Sequence, residues 1–127
     1  MEKVKKTILK ELLSVIEDIS NIDFQQKGWI EKKIHPYCTF EETMHHFFDD
    51  YEAKEILDNY KDYNITIYQY KILLKFYYIL HKYSEKKMSW HYSVNPKEIL
   101  TDPKWHEIQK KAKEVLKAFN YQKEKIN

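Results

Sequence analysis

A single glycine, Gly28, serves the whole of a 127-residue chain, with Pro36, Pro96 and Pro103 as its only prolines. That scarcity constrains the fold more than any other feature. Hairpins lean on Gly, Asn-Gly and Asp-Gly turns, so a many-turned β-sandwich or barrel is not expected. Phosphate-cradling loops, dinucleotide fingerprints and nucleophile elbows each need several glycines for tight turns and close backbone approach. Hydrophobic residues at 43% and charged residues at 33% still allow a packed core. The expectation is an all-α, single-domain helical bundle over residues 1–127, with four main helices and one short one.

Apolar spacing and capping residues place the elements. Val4, Ile8, Leu9, Leu12, Val15, Ile16 and Ile19 recur at three- and four-residue steps and predict a helix from Glu2 to Ser20. Asn21, Asp23 and Gly28 mark its end, and Gly28 to Cys38 reads as the longest irregular segment, pinned by Trp29, Ile30 and Tyr37. Thr39 and Glu42 fit a capping box that opens a second helix reaching Lys61, with Phe40, Met44, Phe47, Phe48, Tyr51, Leu57 and Tyr60 on one side. Thr66 and Gln69 repeat the box and open a third helix to about Tyr83, apolar almost all round. Such a helix is either central or lends a face to a partner. Ser84 to Tyr92 reads as a loop anchored by Trp90. Asn95-Pro96 and Asp102-Pro103 each pair an N-cap with proline at the first helical position, opening a short helix to Leu100 and a last helix carrying Trp105, Ile108, Ala112, Val115, Leu116 and Phe119.

Little in the sequence suggests catalysis, and the expected protein is not an enzyme and needs no cofactor. All 22 basic residues are lysine, so the rigid guanidinium fork for bidentate contacts is missing. Cys38 is the lone cysteine; with no disulfide to make, it suits a reducing cytoplasm, and His35 beside it is followed by Pro36. Glu42 and His45 have the Glu-x-x-His spacing of di-iron bundles, and His46 and its neighbouring acids add ligand types, but no second copy exists to complete a metal site. Asp49 and Asp50 are adjacent, so on a helix they diverge and do not share a proton. Lys110, Lys111, Lys113 and Lys117, joined by Lys123 and Lys125, make a basic last helix that could track nucleic-acid phosphates, but at a net charge of only +2 a solvated face is the commoner explanation and nucleic acid is not the expected partner. The apolar run Ile72 to Leu80 contains Lys75 and falls far short of the roughly 18 residues that span a bilayer, so no membrane association is expected.

Charge segregation is the strongest non-random feature. Glu41, Glu42, Asp49, Asp50, Glu52, Glu55, Asp58 and Asp62 face only Lys54 and Lys61, a net of −6, while the remainder carries twenty lysines and twelve acids, a net of +8. An acidic helix interleaved with rings suits a basic protein partner: charge speeds encounter and buried rings supply affinity. The candidate interface is Glu41, Glu42, Asp49, Asp50, Glu52, Glu55 and Asp58, with Tyr51 and Tyr60 as aromatic anchors.

The run Phe40-Glu41-Glu42 through Phe47-Phe48-Asp49-Asp50, with Asp102-Pro103-Lys104-Trp105-His106-Glu107-Ile108, is similar to small helical immunity proteins of bacterial polymorphic and contact-dependent toxin systems. The resemblance implies stoichiometric inhibition of a cognate toxin in the cytoplasm, the toxin in many cases a nuclease with a basic cleft. With a pI of about 8.4, acidic mimicry would belong to the patch and not to the whole chain. A phage-encoded inhibitor of a host defence protein would use the same binding physics.

Overall fold

The computed structural model describes residues 3–32, 39–88 and 94–121. Among them every regular element is helical, and no strand occurs. The chain is all-α, as the missing turn glycines demand. The elements are α1 (Lys3–Ser20), α2 (Ile22–Gln25), α3 (Phe40–His45), α4 (Ala53–Asp58), α5 (Ile67–Lys87), α6 (Pro96–Leu100) and α7 (Pro103–Ala118).

This differs from four main helices and one short one in three places. Ile22 to Ile30 is helical: the Asn21 side chain accepts the Phe24 N–H at 3.0 Å and starts α2, which widens over Gln26–Ile30 into a turn closed by Glu31 N–H on the Gln26 carbonyl. Asparagine thus acts as a starter where it reads as a terminator. The helix expected from Thr39 to Lys61 is broken. It widens over His46–Asp50, where Tyr51 N–H bonds the His46 carbonyl five residues back, then stops at Glu52, whose φ of 45° is left-handed. Two shorter pieces follow, α4 and a 3₁₀ turn over Tyr60–Tyr63. Finally, α5 continues past Tyr83 to Lys87, with the Ser84 hydroxyl turned back onto the His81 carbonyl at 3.0 Å. Cys38, Tyr37, His35, Trp90, Lys123 and Lys125 lie outside the described residues.

Among the described residues, four that are not glycine take left-handed backbone: Lys32, Glu52, Asn64 and Asn120. Gly28 does not; it is buried within the wide turn. Asparagine tolerates this region through local hydrogen bonding, whereas lysine and glutamate hold it at a steric cost.

The core centres on α7, which packs against both α1 and α5. From α1 come Leu12, Ile16 and Ile19, from α5 Leu73, Phe76 and Leu80, and from α7 Trp105, Ile108, Ala112 and Val115. Val4, expected on the α1 stripe, is 66% exposed. The amphipathic pattern runs one turn further than the neighbour that would cover it. α5 is not central: one side packs inward, and Tyr68 and Tyr78 remain about two-thirds exposed at 65% and 63%.

At one end of the core lies a polar knot without an obvious sequence signal. Gln25 is fully buried. Its amide nitrogen donates to the Asp18 and Ile19 carbonyls at 2.7 and 2.8 Å, and its carbonyl oxygen accepts from Trp105 Nε1 and Gln109 Nε2, each at 3.0 Å. One side chain therefore caps the end of α1 and ties it to α7. Around it, the Trp105 ring meets those of Trp29, Phe40 and Tyr83 at centroid separations of 5.5–5.9 Å. Tyr83 donates to Asp102 Oδ2 at 2.9 Å; burial first, then this bond and the carboxylate's charge, push the phenol well above its ordinary range. Partial burial pushes Asp102 up, but the Lys104 N–H, the Tyr83 hydroxyl and Lys87 outweigh it and hold the carboxyl below its usual value.

Candidate functional site

The broken helix sets the geometry of the acidic face. Thr39 starts α3 by accepting the Glu42 N–H at 3.1 Å. The expected box is half made: the Glu42 carboxylate accepts the Thr39 hydroxyl at 3.3 Å, whereas at Thr66 and Gln69 both halves form. Phe40, Thr43, Met44 and Phe47 point inward, leaving Glu42, His45, Asp49 and Asp50 in solvent and Glu41 half-buried. Two carboxylates are tied to imidazoles one turn back: Asp49 lies 2.8 Å from His45 Nδ1, and Asp50 lies 2.7 Å from His46 Nδ1.

Past the left-handed Glu52 the acids regroup. Side-chain hydrogen bonding with Glu55 and the charge of that neighbour, with a little burial, raise the Glu52 carboxyl above its ordinary value. Glu52, Glu55 and Asp62 also surround the phenol of buried Tyr63, which burial first and then these charges push up. Lys5 of α1 sits 5.8 Å over the Tyr63 ring. Asp58 is exposed, on the side where its charge reaches Tyr77 of α5.

The nine residues singled out from sequence therefore do not form one helical stripe. Glu41 and Glu42 start α3, Asp49 and Asp50 lie on the wide turn, and Glu52, Glu55 and Asp58 lie on or beside α4. Glu52 and Glu55 are brought together. Tyr51 and Tyr60 are half-buried, each held by a stack within the chain: Tyr51 on His46 with centroids 6.1 Å apart, and Tyr60 on Tyr70 at 4.2 Å. As anchors they would present pre-set edges and not free rings.

Beside this face runs a groove of about 420 Å³ between the α3 region and α5. His45, Asp49 and Lys54 line one wall, and His81, Ser84 and Glu85 the other, over Met44, Phe48, Tyr77 and Met88. Here the His45–Asp49 pair faces a second one, His81 Nε2 with Glu85 at 3.5 Å. The His81 ring is fixed by a stack on Tyr77 and the edge of Phe48. Sequence reasoning missed this shared groove because the two histidines stand 36 positions apart, on elements joined only by packing. Among the described residues no group of three or more histidine, cysteine, aspartate or glutamate side chains is arranged to hold a metal ion. Nor is any helix among them long and apolar enough to cross a membrane. Compared with protein-family models, curated proteins and solved structures, the chain matches none of them.

Proposed function

We propose that this chain works by binding, as an inhibitor of the immunity type, with a basic protein surface as its partner. The acidic face from Glu41 to Asp58 would carry the electrostatic contact, and Tyr51 and Tyr60 would frame it. The observation that supports this most is the Glu52–Glu55 pair. Two like-charged carboxylates are held close enough to raise one of them, at a residue whose backbone is itself left-handed. Both carboxylates are exposed, so a lysine or arginine of a partner could reach them and its charge would favour the ionised form of each. The Sequence resemblance to immunity proteins points the same way, and a nuclease toxin is the partner class it suggests.

Capture from native lysate should yield one near-stoichiometric basic protein. With that partner in hand, replacing Asp49 and Asp50 together by lysine should slow association about tenfold at low salt while leaving the melting temperature unchanged, because exposed charges steer encounter more than they hold complexes. An unchanged association rate would remove the acidic face from the interface. Recovery of nucleic acid alone would remove the protein partner.

A further inference from the structure

The outward side of α5 is built unlike the rest of the surface. At 3.6 residues per turn, Tyr68, Lys71, Lys75, Tyr78, Ile79, Lys82 and Lys86 fall within an arc of about 100°. All seven are exposed, and no acid stands among them. Glu85 lies at the margin, turned toward His81. The opposite side, Leu73, Phe76, Leu80, Tyr83 and Ser84, is buried, so the core accounts for that side and leaves the outward one unexplained. Toward α7 the stripe continues into a cleft of about 290 Å³ that adds Lys104 and one acid, Glu107.

Two rings and four cations are interspersed along the stripe. Tyr68 has Lys71 one turn on, and Tyr78 lies between Lys75 and Lys82. The Tyr78 ring is steadied by the edge of Tyr77, with centroids 5.6 Å apart, yet stays 63% exposed. With about two-thirds of each ring left in water, the fold uses only a small part of their apolar surface. A strand with bases and phosphates in alternation would use both features, the bases stacking on tyrosine and the phosphates meeting lysine. Lysine is sufficient here, since a point charge tracks a backbone without reading base edges. A duplex buries the faces of its bases and would leave the rings idle. From Tyr68 to Lys86 the stripe is about 27 Å long at 1.5 Å per residue, room for roughly four to eight nucleotides. From this charge and ring complementarity we infer that the outward face of α5 is a docking platform for single-stranded nucleic acid, separate from the acidic face and independent of the inhibitor reading.

The test is fluorescence anisotropy of the full chain with a labelled oligothymidylate of about twelve nucleotides. Binding at low salt should weaken with a log–log salt slope of about −3, the value for four lysines on a single strand. Lys75→Gln with Lys82→Gln should halve that slope. Tyr68→Ala or Tyr78→Ala should each cost at least about fivefold in affinity, while Tyr78→Phe keeps it. Lys110→Gln with Lys113→Gln, on exposed positions of α7, should leave binding intact. Four results would each overturn the assignment: no binding at low salt; loss through the α7 pair in place of the α5 pair; indifference to both tyrosine truncations; or a preference for duplex, or for phosphatidylserine vesicles, over the single strand.

Discussion

The two ends of the α3 segment solve the same problem in opposite ways. At its start, around Phe40, most inward polar groups are matched inside the protein: Gln25 makes four hydrogen bonds and the Tyr83 hydroxyl meets Asp102, while the buried Trp29 Nε1 is the exception among the described residues. Beyond its end, at Glu52, a left-handed residue turns the chain and holds one carboxylate against another. Buried polar groups must be satisfied or they cost stability, whereas solvent lets an exposed cluster remain unbalanced. The contrast separates what holds this molecule together from what it can offer a partner.

The largest effect should come from the satisfied end. Trp105→Ala removes a fully buried ring that touches three others and should cost about 3–5 kcal/mol, read by denaturant unfolding. A shift below 1 kcal/mol would mean the cluster is not the keystone it looks like. Gln25→Leu keeps the volume but leaves the Trp105 and Gln109 donors without an acceptor, and should cost about 2–4 kcal/mol. If it were neutral, water would have to reach the knot.

Asp102→Ala removes the start of α7 and the acceptor for Tyr83, for about 1 kcal/mol. Its pH dependence has a definite sign. Asp102 is held low in the fold, so its contribution is present above the ordinary carboxylate value of 3.8 and fades as pH falls below it. Tyr83 is held high, so its contribution is present below 10.0 and fades as pH rises past that value. Wild type should therefore lose an increment at low pH that D102A lacks, while at high pH both proteins should weaken and D102A less, since it keeps only the share that burial supplies; parallel profiles for the two proteins would refute the pairing. The smallest effect has the opposite direction and sharpens the contrast. Glu52→Gly frees the left-handed backbone and separates the like charges, so the melting temperature should rise by about 2–4 °C while partner capture weakens. A fall in melting temperature would show that Glu52 belongs to the scaffold after all.

Much of the fold is legible in the sequence because its signals are local. Asn95-Pro96, Asp102-Pro103 and Thr66 with Gln69 all start helices where those residues predict them. The break at Glu52 is not legible: no glycine or proline stands there, and the apolar pattern from Phe40 to Tyr60 reads straight through it. Asn21 misleads because one residue type both ends helices and begins them. Gln25 gives no sign of burial, since an amide earns its place in a core only through partners 80 and 84 positions away. As for the candidate site, its acids can be named from sequence, but their division into groups and the groove that His45 and His81 both line depend on how α3 and α4 pack against α5.

Gln69 shows how closely the parts are coupled. Its backbone N–H and side-chain oxygen complete the box that starts α5, while its side-chain nitrogen donates to the Ala118 carbonyl at 3.1 Å, at the other end of α7 from the Gln25 knot. α7 is thus clasped at both ends by glutamines from elsewhere in the chain. In kinetic terms, α5 can form early from its own neighbours, but neither clasp closes until loops of roughly 50 and 80 residues have been drawn together. The docking of α7 is then the slow and cooperative event, and a chain caught before it would show helices without a core.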